Sequence, residues 1–343
     1  MSKELVSVIV VNYNGKEILE KCVQSIFSSS YYPLEVIIVD NSPLDGSADE
    51  VSRKYDVVLI KNVRNLGYSA GNNLGLREAN GEYVLILNND AILHPRAIDE
   101  LVTEANRSKS QILQPKILML NDSRIINSTG ILIHVAGFGV LRGCGEEDSG
   151  QYDRSIDIGA PHGACFFANR NILKELGLFD EEFFAFCEDT DFGWRALLIG
   201  KKTRFVPSAI VFHKWGHAYN NDSLSIKMRL AERNRLIMVI TNYQRSTMVL
   251  LLPIFFLAEL STLTYCAVHG LIRSKIKGYA DLIQMKQYLV ARRKRIQSMR
   301  RISDNSLLEL FTSEFAHTYL GRPNKPLNML FSLFSKFCIA FLN

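Results

Sequence analysis

Apolar and polar positions alternate in blocks along the N-terminal part of the chain. Short apolar runs, which predict strands, occupy residues 6–11, 34–39, 57–60 and 84–87. Between the first two runs, apolar residues recur with the spacing of one buried helix face, and this predicts a helix over about 16–28. Strands that alternate with helices in this way are typical of an α/β domain with a mainly parallel sheet.

The pattern changes between residues 112 and 168, where short apolar segments are separated by glycine-rich turns. These segments predict a mixed or antiparallel extension of the sheet. Two further helices are predicted at about 169–176 and 188–199, each ended by a glycine. Strands at 203–206 and 209–212 then complete this part.

The chain is therefore expected to have two parts. Residues 1–222 are predicted to form an α/β catalytic domain. Residues 223–343 have a mostly helical pattern in which basic segments alternate with apolar ones. They contain no internal repeat.

Polar residues follow three of the apolar runs directly: Asn12-Tyr13-Asn14, Asp40-Asn41-Ser42 and Asn88-Asn89-Asp90. In open α/β sheets ligands bind at the carboxyl ends of the strands, so these side chains predict a site for a polar ligand with hydroxyls, ring edges or phosphates. Turn chemistry could account for any one of them alone.

A loop rich in glycine and amides, residues 65–73, leads into a helical pattern and could present backbone N–H groups to a sugar or a diphosphate. The segment NYNGKE after the first strand has a single glycine, which argues against a dinucleotide-binding Rossmann unit, and no Walker loop is present.

The densest acidic cluster lies in residues 179–195. On the predicted helix, Glu188 and Asp191 share a face with Arg195, and Asp189 points about 100° away from Glu188. One of these acids, held among phenylalanines, could have a raised pKa and act as a general base. The alternative is an acidic first helical turn that complements the helix dipole.

His213 follows an apolar strand, and it could complete a divalent-metal site with Asp90 and phosphate oxygens of a substrate. His217 lies four residues further on, but Gly216 and the preceding strand argue against the regular helix of a zinc motif.

Composition and charge then narrow the class of protein. The 343 residues are 47% hydrophobic and 22% charged, which excludes disordered and collagen-like chains. Six widely spaced cysteines and the absence of a leader pattern at the N-terminus favour reduced thiols and a cytoplasmic chain. Forty Lys and Arg against 35 Asp and Glu give a net charge of +5. Residues 273–301 alone hold ten Lys and Arg and one acid, Asp281.

Residues 248–272 form an apolar stretch of roughly bilayer length, interrupted by Pro253, Glu259 and His269. Lys and Arg flank both of its ends, so a single crossing would export the basic stretch. We therefore expect an in-plane or re-entrant helix at the cytoplasmic membrane face, or a helix packed on the catalytic domain, with 327–343 as a second contact. A buried helical hairpin or an oligomer interface is the alternative.

Several of these segments occur in one fixed order: VSVIVVNYNG, VIIVDNSPLDGS, NLGYSAGNN, GEYVLILNNDAIL, GACFFANRNILKELGLFDEEFFAFCEDTDFGWR and VFHKWGH. Together they resemble the inverting family 2 glycosyltransferases, especially the rhamnosyltransferase-like and galactofuranosyltransferase-like branch that builds surface polysaccharides and lipid-linked glycans. The resemblance covers about residues 5–217, and RNRLIMVITNY further on is also typical of this branch.

The resemblance implies a GT-A fold and a nucleotide-sugar donor. Asn12 and Tyr13 would lie near the nucleoside, Asp40 would accept a hydrogen bond from the base, and the loop with Asn65, Gly67 and Asn72 would line the donor. The segment Asn88-Asn89-Asp90 stands where the family has its D-x-D metal motif. Only the last acid is present, so the resemblance implies Mg²⁺ or Mn²⁺ held by Asp90 with help from His213.

The resemblance also implies the chemistry. Glu188-Asp189 matches an E-D motif whose second acid deprotonates the acceptor hydroxyl, while Glu188 and Asp191 position the acceptor or the helix. The activated oxygen would attack opposite the leaving nucleoside diphosphate, with inversion. Trp194 and Trp215 could stack on sugar rings, although a core role is as reasonable for Trp194.

The acceptor implied is a hydroxyl of a glycan or of a lipid-linked saccharide at the membrane surface. A polyprenyl-phosphate glycosyltransferase is the main alternative, which the short N-D motif and the VFHKWGH segment disfavour. A nucleic-acid-binding role for ARRKRIQSMRR is disfavoured because the run has no interleaved aromatic residues, so no nucleic-acid partner is expected. An oligomer remains open.

Overall fold

The computed structural model describes residues 3–42, 44–214, 221–314 and 325–340. The strands are β1 (Val6–Asn12), β2 (Leu34–Asp40), β3 (Val58–Lys61), β4 (Tyr83–Asn88), β5 (Ala91–Leu93), β6 (Ile112–Met119), β7 (Ile126–Ser128), β8 (Ile131–Ile133), β9 (Gly139–Leu141), β10 (Asp157–Ile158), β11 (Cys165–Asn169) and β12 (Thr203–His213).

The helices are α1 (Lys16–Phe27), α2 (Ser47–Lys54), α3 (Gly67–Glu78), α4 (Ala97–Ser108), α5 (Arg170–Leu176), α6 (Glu188–Leu198), α7 (Asn221–Asn242), α8 (Arg245–Leu250), α9 (Leu252–Val268), α10 (Ile272–Gln284), α11 (Lys286–Met299), α12 (Asp304–Leu308) and α13 (Lys325–Ala340). The predicted strands up to residue 88 and the three predicted helices, at α1, α5 and α6, are confirmed to within one residue at either end.

The main sheet has the strand order β10-β12-β6-β11-β4-β1-β2-β3. Strands β3, β2, β1 and β4 are mutually parallel, and β6 is parallel to β12. Strand β11 is antiparallel to both of its neighbours, β4 and β6. The sheet is therefore mixed, as predicted, with β11 reversed in its interior and β10 antiparallel to β12 at its edge.

The two strands predicted at 203–206 and 209–212 are in fact the single strand β12. Its pairing with β6 shifts register between Val206 and Ile210. Pro207 lies in this interval and has no N–H to donate to the ladder, which explains why the sequence suggests a break where the structure has an irregularity.

Strand β1 shows why the N-terminal runs are almost wholly apolar. Val8 and Val10 pack with the buried face of α1, whereas Ile9 and Val11 belong to a second cluster on the other side of the sheet. Because successive side chains point to opposite faces, a strand covered on both faces must be apolar at nearly every position.

A third apolar cluster joins α6 to the C-terminal helices. It contains Trp194 of α6, Ile237 of α7, Ile254 of α9 and Phe311. The indole of Trp194 is fully buried, and its ring lies edge-on to Tyr243 at 4.7 Å. The core role considered for Trp194 is therefore confirmed.

The apolar stretch 248–272 forms the end of α8, the whole of α9 and the turn that follows, rather than one long helix. One face of α9 is buried through Ile254, Ala258, Thr262 and Cys266. Within the described residues, every helix is too short or too polar to cross a membrane.

Several cations of the basic stretch, residues 273–301, form ion pairs within the protein. Lys275 is buried and pairs with Glu232, and Arg292 is buried against Asp180 and Asp191. Other cations lie exposed on α10 and α11, namely Arg273, Lys277, Lys286 and Lys294. The ten positive charges counted in the sequence therefore do not form one continuous solvent-facing patch.

Candidate active site

The ends of β1, β2 and β4 carry a connected set of polar side chains. The Asn12 amide donates to Asp40 Oδ1 at 3.0 Å and to Ser47 Oγ at 3.1 Å, and it accepts from Asn89 Nδ2 at 3.0 Å. Asp40 Oδ1 also accepts the backbone N–H of Ser42. Asn12, Asp40 and Asn89, predicted separately from three strand ends, are therefore held together in fixed orientations.

Tyr13 follows this set and is 53% exposed. An exposed ring beside a fixed polar network at the carboxyl edge of the sheet is suited to lie against a flat ligand.

The predicted glycine-rich loop becomes helical earlier than expected, because α3 begins at Gly67. Asn65 Oδ1 accepts the N–H of Gly67 at 2.8 Å, which fixes the turn into the helix. Gly67 has φ +86°, and a Cβ there would lie 2.5 Å from the carbonyl oxygen of Phe184. Asn72 is buried in α3, its Nδ2 donates to Tyr68 O, and its Oδ1 has no hydrogen-bond partner among the described residues.

Asp90 and His213 meet as the sequence predicted. The pairing of β5 with β12 sets His213 opposite Ala91, and Asp90 Oδ1 lies 3.2 Å from His213 Nε2. His213 Nδ1 lies 3.0 Å from Asn127 Oδ1. An amide oxygen can only accept, so Nδ1 carries a proton and donates it.

In the neutral imidazole this tautomer leaves a lone pair on Nε2 that faces a carboxylate oxygen. Two acceptors at 3.2 Å need a proton or a cation between them, so the pair fits a divalent metal whose other ligands come from a diphosphate. Among the described residues no cluster of three or more His, Cys, Asp or Glu could hold a metal. Asp90 and His213 therefore suit an ion whose other ligands come from a substrate, rather than a site in which the protein supplies every ligand.

His162 is a site residue that the sequence analysis missed. Its ring lies 6.2 Å from the ring of His213, and its buried Nδ1 has no partner among the described residues. Burial, and secondly the proximity of His213, lower the pKa of His162 to about 3, so the imidazole is neutral. In the sequence, the one signal that could have indicated His162 as a site residue is its position just before the GACFFA segment.

Glu188 and Asp189 begin α6 and converge on Gly163. Asp189 Oδ2 accepts the N–H of Gly163 at 2.8 Å, and Oδ1 accepts the N–H of Thr190 at 2.6 Å. A Cβ on Gly163 would lie 3.2 Å from Asp189 Oδ2 and 3.6 Å from Glu188 Oε1. Since Gly163 follows His162, the acid pair and the Asp90–His213 pair lie on either side of one short segment.

Burial raises the pKa of both acids. For Glu188 the second cause is the nearby charge of Asp189, and its Oε2 has no hydrogen-bond partner among the described residues. For Asp189 burial also raises the pKa, while hydrogen bonds from Gly163 and Thr190 lower it in part. A carboxylate with a raised pKa is a stronger base than an ordinary one, as proton abstraction requires.

Asp191 lies away from this pair, in a fully buried ion cluster. It accepts from Arg195 Nε at 2.7 Å, from Arg292 Nη2 at 2.5 Å and from Asn242 Nδ2 at 3.2 Å. Burial by itself would raise the pKa of Asp191, but the two guanidinium groups outweigh it and lower the pKa to about 2. This environment suits the helix-positioning role of Asp191, since both of its oxygens are taken by cations. Trp215 and His217 lie outside the described residues.

Comparison with solved structures identifies the fold. A mannosyltransferase from Pyrobaculum calidifontis, solved in complex with GDP-Man and Mn²⁺, superposes with a TM-score of 0.52 at 15% identity. The match covers 99% of this chain and 87% of that one. At this level of identity the likeness shows a shared fold. Residues 7–177, just under half of the chain, match the family described as glycosyl transferase family 2, so this part of the chain has the sequence pattern of that family.

Two curated relatives match this chain over a longer range than the family model does. The low-salt glycan biosynthesis hexosyltransferase Agl10 of Haloferax volcanii is 29% identical over 204 residues, which cover 55% of this chain and 61% of the relative. The N-acetylglucosaminyl-diphospho-decaprenol L-rhamnosyltransferase of Mycobacterium tuberculosis is 25% identical over 248 residues, 65% of this chain and 80% of the relative. The match thus spans about three fifths of the archaeal relative's length.

Proposed function

We propose that this protein is a glycosyltransferase that moves a hexosyl or deoxyhexosyl residue, with inversion, from a nucleoside diphosphate sugar to a hydroxyl of a lipid-linked saccharide. The proposal rests on one observation: two pairs of side chains with different chemistry lie close to the segment His162-Gly163. One pair, Asp90 and His213, is suited to a cation and a diphosphate, and the other, Glu188 and Asp189, is suited to accept a proton.

Each part of the site has a separate task. Asn12, Asp40 and Tyr13 would bind the nucleoside, while Asn65, Gly67 and Asn72 line the donor at the start of α3. Asp90 and His213 would hold a divalent cation, Mg²⁺ or Mn²⁺, which when bound offsets the charge that develops on the leaving diphosphate. Asn127 holds the tautomer of His213 that leaves Nε2 unprotonated toward this position.

Asp189 takes the proton from the acceptor hydroxyl, and the oxygen so activated attacks the anomeric carbon opposite the leaving group. The carboxylate is kept in place by the N–H groups of Gly163 and Thr190. Glu188, buried beside it, raises the proton affinity of the pair and positions the acceptor. Attack from the face opposite the leaving group inverts the anomeric configuration.

The acceptor class rests on the Mycobacterium tuberculosis relative, whose printed name is that of an enzyme acting on a polyprenyl diphosphate that carries N-acetylglucosamine. We therefore propose a diphosphate-linked lipid saccharide of this type as acceptor. Exposed apolar side chains fit a lipid-linked substrate: Leu252, Phe256 and Leu260 form a stripe along α9, and Met329 and Leu333 lie exposed on α13. These helices would contact the cytoplasmic face of the membrane.

The test is transfer by the purified protein from a panel of UDP-, dTDP- and GDP-sugars, with Mn²⁺ or Mg²⁺, to N-acetylglucosaminyl-diphospho-undecaprenol. Polyprenyl phosphate alone is the comparison acceptor. The proposal predicts a disaccharide-lipid with inverted anomeric configuration by NMR. Retention of configuration, or transfer only to polyprenyl phosphate, would contradict it.

A further inference from the structure

The segment that leads into the acid pair has an unusual backbone. Phe184, Phe186 and Cys187 have φ values of 63°, 71° and 68°. This left-handed region is unfavourable for side chains with a Cβ, and each such residue typically costs about 1–2 kcal/mol. Residues 184–187 therefore keep this shape only because contacts around them hold it.

Most of those contacts come from α7, about 50 residues further along the chain. Asn234 is fully buried, and its Nδ2 lies within hydrogen-bond distance of three carbonyl oxygens, at 3.0 Å from Phe183, 3.0 Å from Ala185 and 2.8 Å from Phe186. An amide has two N–H protons, so they are shared among the three acceptors. One side chain thus bonds two of the four carbonyls of residues 184–187 and the carbonyl that precedes them.

Arg233 extends the same contact by one residue. Its Nη2 donates to the carbonyl oxygens of Glu182 at 2.6 Å and Phe183 at 3.2 Å, while its Nε donates to Asn234 Oδ1 at 3.0 Å. The guanidinium therefore bonds the backbone directly and also orients the neighbouring amide.

The opposite side of the segment contacts the donor-binding helix. The carbonyl of Phe184 accepts the N–H of Ser69 at 3.0 Å, and Gly67 leaves no room for a Cβ beside Phe184. Residues 184–187 are thus clamped between the first turn of α3 and the middle of α7. Glu188 and Asp189 follow directly, so their direction is set by this clamp.

We infer that Asn234, assisted by Arg233, is a positioning residue that fixes the left-handed segment and so aims Glu188 and Asp189 into the site. The inference rests on the proposed function, because it assumes that the acid pair accepts the proton. It also means that α7, on the far side of the domain boundary predicted near residue 222, completes the active site without touching the substrate.

Loss of the amide would remove the donor of the Ala185 and Phe186 carbonyls and free the segment to relax toward ordinary φ values. Donor binding should survive, because the donor-binding residues lie on β1, β2 and α3. A misplacement of about 1 Å at a reacting group can lower turnover about 100-fold. Water reaching the acid pair would also reduce the desolvation that raises its pKa, so the acid limb of the pH–rate profile should move to lower pH.

The experiment compares Asn234→Ala and Arg233→Ala with the matched control Tyr243→Phe. The control removes another buried hydrogen bond, from Tyr243 Oη to Val135 O at 2.9 Å, in which no residue of the segment 184–187 takes part. We expect kcat to fall about 10- to 100-fold in Asn234→Ala and less in Arg233→Ala, with donor KM unchanged within about twofold. The acid limb should shift in the Asn234 variant and stay in place in the control.

A second readout needs no substrate. Hydrogen–deuterium exchange of the free protein should become faster in the peptide that spans residues 184–190 for both variants, and not for the control. Unchanged exchange in that peptide would overturn the inference, as would faster exchange with wild-type kcat and pH profile. If the wild-type protein transferred no sugar under any condition, the proposed function would fail, and the exchange data alone would decide whether the clamp exists.

Discussion

Three carboxyl groups within four residues have different protonation behaviour. Glu188 is buried and Asp189 is partly buried, neither is paired with a cation among the described residues, and their pKa values are raised. Asp191 is buried more completely, but two guanidinium groups lower its pKa to about 2. The sequence shows the three acids and the one local partner, Arg195; it could not show Arg292, which lies 101 residues away. The choice of base among them is therefore a matter of tertiary environment.

Asp189→Asn should lower transfer about 10²- to 10⁴-fold, because an amide cannot accept the acceptor's proton. Nucleotide-sugar binding should be nearly unchanged, since the donor contacts lie on other elements. Initial rates give the first quantity and a thermal shift with the donor gives the second. Near wild-type turnover in this variant, together with a large loss in Glu188→Gln, would assign the base to Glu188.

The pH dependence of this chemistry has a definite sign. The base must be unprotonated to act, and burial raises the pKa of Asp189 above the 3.8 of an ordinary aspartate. We therefore expect kcat to fall as the pH decreases through a value above 3.8, measured at saturating donor.

The hydrogen bond from His213 to Asn127 makes the predicted metal pair depend on a residue that no sequence motif marks. Asn127→Ala should weaken Mn²⁺ binding about 10- to 100-fold, because Nδ1 loses the acceptor that fixes its tautomer. Electron paramagnetic resonance titration of Mn²⁺ with UDP or GDP measures this. Asp122→Asn, on the turn between β6 and β7, is the control.

Asp90→Ala and His213→Ala should each raise the Mn²⁺ concentration needed for half-maximal transfer. Undiminished wild-type transfer in excess EDTA would contradict the metal role of both residues and leave Asp90 as an acceptor of hydrogen bonds from the sugar.

At the scale of elements, α6 has two functional sides. Its first residues supply the acid pair, and Asp191 ties the helix to α11 through Arg292 and to α7 through Asn242. The strands and helices around the site could be predicted because apolar periodicity and end-capping glycines are local signals. The clamp on residues 184–187 could not, because it depends on side chains about 50 residues away that bond backbone rather than complementary side chains.

Asp191→Asn should destabilise the fold by about 3–5 kcal/mol, because it leaves two buried guanidinium groups short of a counter-charge. Urea unfolding monitored by tryptophan fluorescence measures the change. Glu175→Gln is the matched control: it breaks the exposed pair with Arg301, which is worth about 0–1 kcal/mol. Equal effects of the two substitutions would contradict the structural role of Asp191.

The same substitution has a pH signature. A carboxyl whose pKa is lowered on folding, here from 3.8 to about 2, contributes stability that is present above the unfolded value and is lost as the pH falls through the folded one. The stability difference between wild type and Asp191→Asn should therefore shrink as the pH is lowered from about 4 to 2.

At the scale of the whole molecule, the sequence predicts the family and the mixed sheet. Its charge pattern, however, overstates how many cations of the C-terminal region are free to bind lipid headgroups. Cations that look available for headgroups include Lys275 and Arg292, which are buried in ion pairs. Glu259, which interrupts the apolar stretch, pairs with Arg235 and Lys275. Counting charges along a chain cannot reveal which of them will be neutralised by partners on other helices.

The exposed stripe on α9 gives the proposed membrane contact a direct test. The double variant Phe256→Ser, Leu260→Ser should reduce flotation with anionic liposomes, because the two side chains are 72% and 52% exposed and bury area only against a partner surface. Val290→Ser, on α11 and 65% exposed, is the control. Equal flotation of wild type and double variant would place the contact elsewhere.

The pairing of Asp191 with Arg292 also has a consequence for biosynthesis. The two residues are 101 positions apart, and chains grow at roughly 5–20 residues per second, so the second partner leaves the ribosome roughly 5–20 s after the first. By the end of that interval the nascent chain contains every strand of the sheet, while Asp191 has Arg195 but not yet Arg292 as a counter-charge. The last ion pair that ties α6 to the C-terminal helices can therefore form only after residue 292 has been added and has folded back.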